Sequence, residues 1–345
     1  MTVTAGRSRP PRAAIAREAG VSVPTVSTVL NGWSDVAPGT RRRVEDLLDR
    51  RGYVRRTASS KNTAAAGLIE VVLDSLNNSW AAALLGGIEG ACHEASLGVA
   101  VSVARTVRPG HMEKSWLDQA IVRGARGVLL ALVDIPQAQR TRLDRLGIPY
   151  VVVDPVTVPP EPIASVGAAN WAGGMAATQH LISLGHKRIA VIGGPPELLC
   201  SQARVAGYRA AMTQAGLPTP EEYVRSGDFY TASGNAATRS LMRLPEPPTA
   251  IFICADTMAL GAYRAVSELG LRVPDDLSIV GFDDRPESHW VSPRLTTIRQ
   301  PLAEMGGAAV TLLLRLMRGE TPESRRLELS TSLIERESTA PPKVQ

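Results

Sequence analysis

The 345-residue chain contains few cysteines, few aromatic side chains and no long apolar run. Its three cysteines, Cys92, Cys200 and Cys254, are odd in number and far apart, which predicts reduced thiols rather than a disulfide framework. The absence of a run of about 18 apolar residues argues against a transmembrane helix. The N-terminal segment MTVTAGRSRPPR has no apolar signal region, so we expect a cytoplasmic protein without a membrane partner.

Motifs of catalysis and metal binding are also missing. The five histidines, His93, His111, His180, His186 and His289, are scattered, and no metal-ligand spacing or nucleophile motif accompanies them. The loop GGPPE at 193–197 follows a predicted strand but lacks the Gly-Lys-Ser/Thr of a phosphate-binding loop. The chain is therefore not predicted to be an enzyme, and neither a cofactor nor a metal ion is expected.

Charge is distributed unevenly along the chain. The net charge is +5, but residues 1–61 hold twelve Lys or Arg and five Asp or Glu, a net of +7, which leaves −2 for the remainder. A basic head on a slightly acidic body predicts a polyanionic partner, and the alternative is a solvated basic helix. With 44% hydrophobic residues, the chain is long enough for two or three domains with buried cores.

The head has the pattern of two short helices and a tight turn. Ala13, Ile15, Ala16 and Ala19 recur at helical spacing, and Gly20 ends that run. Ser22 is a predicted N-cap for a second helix that starts with Pro24 in its first turn and turns Val26, Val29 and Leu30 inward. Two such helices predict a helix-turn-helix, followed by a third helix at about 38–51.

Beyond residue 66, apolar strands alternate with helical stretches. Strands are predicted at 67–73, 99–103, 127–132, 149–154, 188–194, 249–254 and 277–284. Helices are predicted near 80–95, 112–123, 135–146, 171–184, 202–215, 233–243, 256–269 and 301–318. This alternation predicts parallel sheets covered by helices on both faces, arranged as two α/β lobes. Only the tail around Pro341 and Pro342 is predicted to be disordered.

Two sets of motifs resemble one known family. The segments AGVSVPTVSTVLNG, TRRRV and RGY resemble the DNA-binding head of the lactose repressor (LacI/GalR) family. The body resembles the same family in the segments NWAGGMAATQHLISLGHKRIAVIGGP, ARVAGYRAAM, DTMALGAYRAVSELGLRVPDDLSIVGFDD and SPRLTTIRQPLAEMG. The resemblance implies an all-α helix-turn-helix domain at 1–53, a linker or hinge at 54–66 and an effector-binding and dimerisation domain at 67–338.

The resemblance also implies how the body is built. It is expected to be a periplasmic-binding-protein-like pair of lobes, 67–160 with 300–325 and 161–299 with 326–338, crossed by three chain segments. A small ligand is expected in the cleft between the lobes, because open α/β sheets bind ligands beyond the carboxyl ends of their strands. His180 and His186 match a helix-end turn of the family and are interpreted as structural.

In that family the second helix of the head lies in the major groove. By position, the residues implied to face the bases are Val23, Pro24 and Thr28, and those implied to bind phosphates are Ser22, Thr25, Ser27 and Asn31. A threonine contacts a thymine methyl group or donates one hydrogen bond but cannot hold guanine through two, so direct readout is expected to be mostly apolar. Packing in the core of the head is the alternative for Val23.

The linker VRRTASSKNTAAA departs from the family. No leucine occurs between Leu48 and Leu68, whereas the family's hinge helix wedges a leucine into the minor groove. Arg55 and Arg56, together with Lys61, are expected instead to bind phosphates or a narrow minor groove.

Several residues of the body match the family's ligand contacts. Arg204 and Asp283 take the places of the principal polar contacts, and Asp154 matches a third. After the strand TAIFIC the family usually has an Asn-Asp pair, which is Ala255-Asp256 here. The contact of Asp256 is therefore expected to remain, while the amide contact is lost. Ala169 stands where the family has an aspartate. For Asp283 the alternative is capping of the following turn, and for Arg204 it is a structural salt bridge.

Three tryptophans, Trp80, Trp171 and Trp290, lie in segments that border the family's cleft. Indole rings pack on the apolar face of a sugar, and carboxylate and guanidinium groups bind adjacent hydroxyls in pairs, so a sugar effector is favoured over a purine. The alternative for each tryptophan is a place in the core or on a dimer surface.

The resemblance implies a dimeric, sequence-specific transcriptional regulator. We expect a repressor that binds a pseudo-palindromic double-stranded operator under the control of a small molecule, a sugar, held between the lobes. One alternative is a constitutive DNA-binding protein with a decayed effector site, which Ala169 and Ala255 favour. A less favoured alternative is a solute-binding module of a transporter, which would need a signal peptide and has no use for a helix-turn-helix.

Overall fold

A computed structural model of the chain describes residues 12–30, 36–37, 39–40, 43–44, 47–48, 67–104, 106–108, 111–112 and 115–343. The chain divides into two units, Met1–Ala65 and Ala66–Gln345, and each is described by itself. Among the described residues, no helix combines the length and the apolar character needed to cross a membrane.

The head contains two short helices joined by a glycine turn, as predicted. Helix α1 spans Arg12–Ala19 and α2 spans Val23–Leu30. Gly20 ends α1 with a left-handed backbone (φ 65°), a conformation that costs a residue without Cβ little. The described residues between 39 and 48 are helical too. The buried side chains of this core are Ile15, Ala16, Ala19, Val26, Val29, Val44 and Leu48. The side chain of Leu30, predicted to face inward, lies outside the described part of the chain.

The first lobe of the body is built on a six-stranded sheet. Its strands are β1 (Leu68–Leu73), β2 (Gly98–Val103), β5 (Ala125–Ala131), β6 (Tyr150–Val153), β7 (Ala164–Ala168) and β13 (Arg326–Leu329). Their order is β13-β7-β6-β5-β1-β2 and every pair is parallel, with Leu68 opposite Gly98 and Val151 opposite Ala164. A small antiparallel pair, β3 (Thr106–Arg108) and β4 (His111–Met112), lies outside this sheet.

The second lobe is also built on a six-stranded sheet. Its strands are β8 (Ile189–Gly193), β9 (Val224–Ser226), β10 (Ala250–Ile253), β11 (Ser278–Asp283), β12 (Thr296–Arg299) and β14 (Ser332–Ile334). Their order is β14-β12-β11-β10-β8-β9, and only β14 is antiparallel to its neighbour. All seven strands predicted from apolar runs are present in the two sheets.

Helices cover both sheets. Those of the first lobe are α3 (Ser79–Glu94), α4 (Ser115–Arg123), α5 (Gln137–Leu146) and α11 (Leu302–Met317). Those of the second lobe are α6 (Asn170–Ser183), α7 (Leu199–Gln214), α8 (Thr231–Leu241), α9 (Asp256–Glu268) and the short α10 (Glu287–Trp290). The predicted helices are confirmed within a few residues, except that the stretch predicted from 112 begins at Ser115, because His111–Met112 pairs as a strand.

The chain crosses between the lobes three times in the described body: from β7 to α6, from β12 to α11, and from β13 to β14. The lobe limits predicted at 160/161 and 325/326 differ from these crossings. Residues 164–168 and 326–329 belong to the first lobe, because β7 and β13 pair with each other at its edge. Both strands are short and lack a continuous apolar run (ASVGA and RLEL), so their sequences do not assign them to a lobe.

The C-terminal segment packs on the second lobe as far as residue 343, contrary to the disorder predicted for its prolines. His186 contacts it through Nε2, 2.9 Å from the Ala340 carbonyl oxygen, and holds Thr249 Oγ1 at 2.8 Å through Nδ1. His180 Nε2 lies 2.9 Å from Thr339 Oγ1. Burial lowers the pKa of both imidazoles, which favours the neutral rings that these contacts use. These contacts agree with a structural role for both histidines.

Helices α6 and α7 approach each other through glycines. A Cβ added at Gly174 would lie 2.2 Å from the carbonyl oxygen of Arg204, and one added at Gly207 would lie 2.1 Å from that of Trp171. Both distances are far shorter than a van der Waals contact with backbone. The two glycines therefore allow α7, which carries Arg204, to lie directly against α6, which begins at the first crossing.

Gly207→Ala is expected to lower the free energy of unfolding by about 1–3 kcal/mol, the usual cost of forcing extra atoms into a packed interior. Gly90→Ala is the matched control, because a Cβ at this helical glycine meets nothing within 4 Å. That change should stabilise the protein by up to about 1 kcal/mol through helix propensity. Urea unfolding followed by circular dichroism measures both variants, and equal stabilities would contradict the tight α6–α7 contact.

Candidate functional site

The carboxyl ends of the two sheets meet at a cleft between the lobes that holds about 1070 Å³ of empty space. Loops at this end of a parallel sheet form the ligand sites of open α/β folds. From the first lobe, the lining includes Asp74, Asn78, Trp80 and Asp154. From the second lobe, it includes Arg204, Phe229, Tyr230, Asp283, Arg285 and Glu287. Four of the predicted residues, Asp154, Arg204, Asp283 and Trp80, thus lie around one cleft.

Arg204 is held rigidly in the wall of this cleft, with 3% of its surface exposed. Its Nε donates to Asn170 Oδ1 at 2.8 Å and its Nη1 donates to the Cys254 carbonyl oxygen at 2.7 Å. The guanidinium carbon lies 3.8 Å from the ring centroid of Phe282, a cation–π contact. Nη2 has no hydrogen-bond partner among the described residues. The guanidinium is therefore positioned by the protein with a donor still available at the cleft.

Asp283 faces this guanidinium from the end of β11. Its Oδ1 lies 3.7 Å from Arg204 Nη1 and accepts a hydrogen bond of 2.6 Å from Gln300 Nε2. Its backbone φ is 120°, a strained value for a residue with a side chain, and strain of this kind concentrates at ligand sites. Burial raises the pKa of Asp283 to about 6, although Arg204 and the hydrogen bond from Gln300 oppose the rise. Asp283 is therefore a carboxylate at neutral pH, but its ionised form is only weakly favoured over the protonated form.

Asp154 reaches the same place from the end of β6. It is buried, and its Oδ1 accepts a hydrogen bond of 3.4 Å from Asn170 Nδ2. Burial raises the pKa of its carboxyl group, while Arg204 and Asn170 act in the opposite direction. Because Asn170 contacts both Asp154 and Arg204, the first residue of α6 joins the predicted contacts of the two lobes.

Asp256 lies beneath the cleft rather than in its lining, which corrects the expectation of a direct ligand contact. It is fully buried, with Oδ1 accepting from Thr297 Oγ1 at 2.6 Å and Oδ2 accepting from the Arg285 backbone N–H at 2.9 Å. Burial raises its pKa well above the ordinary value, and the charge of Asp283 adds to the rise. Its neighbours Ala255 and Thr257 form the cleft wall instead. Asp256 thus supports the loop that carries Arg285.

The three predicted tryptophans separate in the structure. Trp80 lies in the first turn of α3 and lines the cleft, and Asn78 caps that turn by accepting a 2.7 Å hydrogen bond from the Ala81 N–H. Trp171 is 47% exposed and lines an adjoining depression beside the first crossing, which shares Asp154 and Cys200 with the cleft. Trp290 is 74% exposed and lies outside the lining of the cleft. Of the three side chains, that of Trp80 lines this cleft directly.

Other aromatic residues of the cleft were missed in the sequence. Phe229 and Tyr230 follow the short strand β9, and the Phe229 ring centroid lies 6.0 Å from the Arg204 guanidinium carbon. Asp228 shapes this turn, because its Oδ1 accepts from the Tyr230 N–H at 2.9 Å and from Ser233 Oγ at 2.5 Å. The only signal in the sequence is the pair of aromatic residues in a chain where aromatics make up 4%.

In the head, the predicted cap is present. Ser22 Oγ accepts a 3.3 Å hydrogen bond from the Thr25 N–H and lies 2.8 Å from Thr25 Oγ1. Val23 is 41% exposed and Pro24 is exposed, so neither belongs to the core of the head. The Thr28 hydroxyl donates to the Pro24 carbonyl oxygen at 3.0 Å, which leaves its methyl group as the group available for a base contact.

The other predicted DNA contacts lie on α2 and beyond it. Ser27 is half-buried on α2. Asn31, Arg55 and Arg56, and with them the whole linker 54–66, lie outside the described residues.

Comparison with known proteins identifies related chains over almost the full length. Residues 14–56 match the model of bacterial regulatory proteins, lacI family, and residues 178–339 match that of the periplasmic binding protein-like domain. The HTH-type transcriptional regulator CelR of Thermobifida fusca is 36% identical over 341 residues, which cover 96% of this chain and 99% of that protein. The catabolite control protein A of Priestia megaterium is 33% identical over 330 residues, covering 94% and 98%.

Solved structures agree with these relatives. A transcriptional regulator CelR-cellobiose complex matches with a TM-score of 0.71 and 33% identity, covering 96% of this chain and 100% of that one. The lac repressor dimer bound to operator and the anti-inducer ONPF matches with a TM-score of 0.72 and 28% identity, at the same coverage.

A helix-turn-helix head and a two-lobed body with a polar cleft define a DNA-binding transcriptional regulator rather than an enzyme. The fold class predicted from the sequence is confirmed. With relatives at this identity over nearly the whole chain, the protein belongs to the lacI family of bacterial regulatory proteins.

The raised pKa of Asp283 makes stability depend on pH. The folded protein keeps this proton up to about pH 6, whereas the unfolded chain releases it near 3.8, so the stabilising contribution is complete below pH 3.8 and is lost as pH rises through 6. Asp283→Asn lacks this dependence. The free energy of unfolding of the variant minus that of the wild type should therefore rise between pH 4 and 6, at roughly 1.4 kcal/mol per pH unit, and then level off.

Urea unfolding between pH 4 and 8 at constant ionic strength measures this difference. Val122→Ala, at an exposed position without an ionisable group, is the control and should differ from the wild type by the same amount at every pH. A pH-independent difference for Asp283→Asn would contradict the assignment.

The Thr28 geometry predicts readout through a methyl group. Thr28→Val keeps the methyl and should retain the base preference, whereas Thr28→Ser keeps the hydroxyl and should lose several-fold in preference for thymine at one position per half-site. The loss corresponds to about 0.8 kcal/mol for one buried carbon. Competition binding with single-base variants of a selected duplex measures both, and a uniform loss over all sequences for Thr28→Ser would argue for a phosphate contact instead.

Proposed function

We propose that this regulator is a homodimeric repressor in the cytoplasm, and that a sugar bound between its lobes controls its binding to a pseudo-palindromic operator. The observation that carries the proposal is the pair formed by Arg204 and Asp283. Each is buried, held by other side chains and directed at the cleft, and each keeps a polar atom without a hydrogen-bond partner among the described residues. Such atoms are suited to adjacent hydroxyl groups of a ligand.

The aromatic walls of the cleft support a carbohydrate. Trp80 stands on the first lobe, and Phe229 and Tyr230 stand on the second. Flat rings pack against the C–H faces of a pyranose while polar groups between them bind its hydroxyls. Among the similar solved structures are a transcriptional regulator CelR-cellobiose complex and a LacI family transcriptional regulator from Enterococcus faecium with bound ribose.

The head supports operator binding. Its net charge of +7 over residues 1–61 provides phosphate contacts and counterion release, which supply affinity but no sequence information. The exposed Val23 and Pro24 and the methyl group of Thr28 supply apolar base contacts at the start of α2. The lac repressor dimer has been crystallised on its operator, and we propose the same two-headed arrangement here.

The crossings between the lobes couple the two functions. Asn170, at the first crossing, binds Arg204, and Gln300, at the second, binds Asp283. A sugar that hydrogen-bonds to Arg204 and Asp283 changes the angle between the lobes. The spacing of the two heads changes with that angle. It controls DNA binding only if it binds the two conformations with different affinity, and we propose that it favours the conformation that does not bind DNA.

A two-stage experiment tests this proposal. Purified full-length protein is mixed with random-sequence duplex DNA near physiological salt, and the duplexes that it binds are recovered and sequenced. We expect a two-fold symmetric motif. Neutral mono- and disaccharides are then added to the selected duplex, and release of the protein is followed by fluorescence anisotropy. A symmetric motif whose affinity no sugar alters would favour the constitutive alternative, for which Ala255 in the cleft wall already argues.

Variants of the pair separate the two activities. Arg204→Ala and Asp283→Asn should lose the sugar response, with Kd for the operator changed less than about threefold, because neither residue belongs to the head. Arg145→Ala, at an exposed position on α5, is the matched control and should respond like the wild type. Thermal unfolding checks that each variant is folded. A folded Arg204→Ala variant that loses operator binding but still binds sugar in calorimetry would contradict the assignment.

A further inference from the structure

We infer that Arg336 is a positioning residue of the effector site: through Asp284 it holds the loop after β11 in the conformation that presents Asp283 to the cleft. This inference rests on the proposed effector site, because Asp283 is one of its two principal polar contacts. Arg336 lies two residues beyond β14, next to the third crossing. Neither Arg336 nor Asp284 belongs to the described lining of the cleft, so both act on a ligand indirectly.

The loop after β11 has a backbone that needs support. Asp283 and Asp284 are consecutive residues with positive φ, 120° and 53°. Residues with a Cβ keep such values only where the surrounding structure holds them there. The conformation that brings Asp283 Oδ1 to 3.7 Å from Arg204 Nη1 therefore depends on contacts made elsewhere in the loop.

Arg336 supplies these contacts through two nitrogens of its guanidinium group. Nη2 donates to Asp284 Oδ1 at 2.5 Å, and Nη1 donates to the Leu295 carbonyl oxygen at 2.7 Å and to Ser288 Oγ at 3.1 Å. The side chain of Arg336 is 10% exposed and that of Asp284 is 5% exposed. Water therefore competes little for this ion pair, and removing one partner leaves the other charge buried without compensation.

Arg336 is the principal anchor of Asp284. Its segment is fixed, because β14 pairs with β12 and the Arg336 backbone N–H donates to Thr296 Oγ1 at 2.9 Å. A second arginine, Arg299, donates from Nε to Asp284 Oδ2 at 2.7 Å, but its side chain is 53% exposed. Exposed ion pairs contribute less than buried ones, since water and salt screen them.

Ser288 extends the anchor along the loop. This buried residue has its Oγ 3.2 Å from Asp284 Oδ1 and 2.7 Å from the Arg285 carbonyl oxygen. The Arg285 backbone N–H in turn donates to Asp256 Oδ2 at 2.9 Å. The loop is thus held from beneath by groups outside the cleft, while Asp283 faces the cleft. Loss of the Arg336 contacts frees the residue that directly follows Asp283.

The place of Arg336 in the chain connects this anchor to the first lobe. The third crossing leads from β13, in the first lobe, to β14, and Arg336 follows β14 directly. The first crossing packs against the same segment, because the Ala169 N–H donates to the Leu329 carbonyl oxygen at 2.8 Å. The loop that presents Asp283 is therefore anchored to a chain segment that comes straight from the other lobe.

Arg336→Gln tests the inference, because glutamine removes the charge that pairs with Asp284. Calorimetry on the full-length protein measures binding of cellobiose, ribose, glucose and galactose, and fluorescence anisotropy measures Kd for the selected operator without sugar. A sugar that binds the wild type should bind Arg336→Gln about tenfold or more weakly, since the strained loop no longer holds Asp283 in place. Operator Kd should change less than about threefold, because Arg336 is remote in sequence from the head. Arg336→Lys keeps the charge and should recover part of the sugar affinity.

A second readout needs no ligand. When the loop relaxes, water reaches the Asp283 carboxyl group and its pKa falls from about 6 toward the ordinary value. Urea unfolding between pH 4 and 8, with and without Asp283→Asn, reports this pKa in each background. The rise in the difference between pH 4 and 6 should be at least halved in Arg336→Gln. His289, whose Nε2 lies 3.1 Å from Arg336 Nη2, is present in both members of each pair, as are Asp154 and Asp256, so their own titration cancels.

A double-mutant cycle tests the route through Asp284. If Arg336 acts through Asp284, Arg336→Gln and Asp284→Asn together weaken the sugar no more than the stronger change alone, whereas independent roles multiply. Arg239→Gln is the matched control, because it removes an ion pair of 2.8 Å with Glu268, the last residue of α9, on the same lobe. It should keep the sugar affinity within about twofold and the full pH dependence of Asp283.

Thermal unfolding checks that each variant is folded, and if Arg336→Gln is not, Asp284→Asn decides by the same readouts. A folded variant that binds sugar like the wild type, or that keeps the full pH dependence of Asp283, would overturn the positioning role and leave the sugar-controlled repressor standing. If no sugar binds the wild type, the proposed effector class fails. The titration of Asp283 then decides the role of Arg336 by itself.

Discussion

The body of this regulator depends on one buried cation. Arg204 is almost fully removed from water, and its charge is compensated by Asp283, by the Asn170 and Cys254 oxygens and by the face of Phe282. Removing a charge from water is expensive unless partners of this kind surround it. The partners come from strand ends, a helix start and the first crossing between the lobes. A single side chain therefore joins the cleft to the elements around which the lobes can move.

The loop after β11 shows how sequence neighbours acquire different roles. Burial raises the pKa of Asp283. At Asp284 burial also acts to raise the pKa, but hydrogen bonds and charges from Arg336 and Arg299 outweigh it and lower the pKa. The first carboxylate faces the cleft and is poised to gain from a ligand. The second is an ionic anchor for the segment that presents Arg285. Asp256, buried below, holds the same segment by its backbone. A loop anchored in this way needs little further ordering when a ligand binds in the cleft.

Close approach of helices is the second constraint on the cleft. Gly174 and Gly207 bring α6 and α7 together until backbone meets backbone. As a result Arg204 on α7 reaches Asn170 at the start of α6, and the first crossing becomes part of the ligand site. Movement of one lobe against the other therefore disturbs the cleft, and a ligand that binds the two arrangements with different affinity biases that movement. By thermodynamic linkage, a ligand that changes the affinity for DNA has its own affinity changed by DNA to the same extent.

The sequence by itself determined the elements, the family and the inner polar contacts. Helix periodicity, the cap at Ser22 and the continuous apolar strands are local patterns, and Arg204 and Asp283 lie in motifs that can be read along the chain. The tertiary structure decided the rest. It assigned β7 and β13 to the first lobe, because pairing between residues 161 positions apart, such as Ser165 and Arg326, leaves no local pattern. It separated Trp80 from Trp171 and Trp290, because exposure depends on what packs nearby. It brought Phe229, Arg285 and Glu287 to the cleft, because loops converge there only after both sheets have formed.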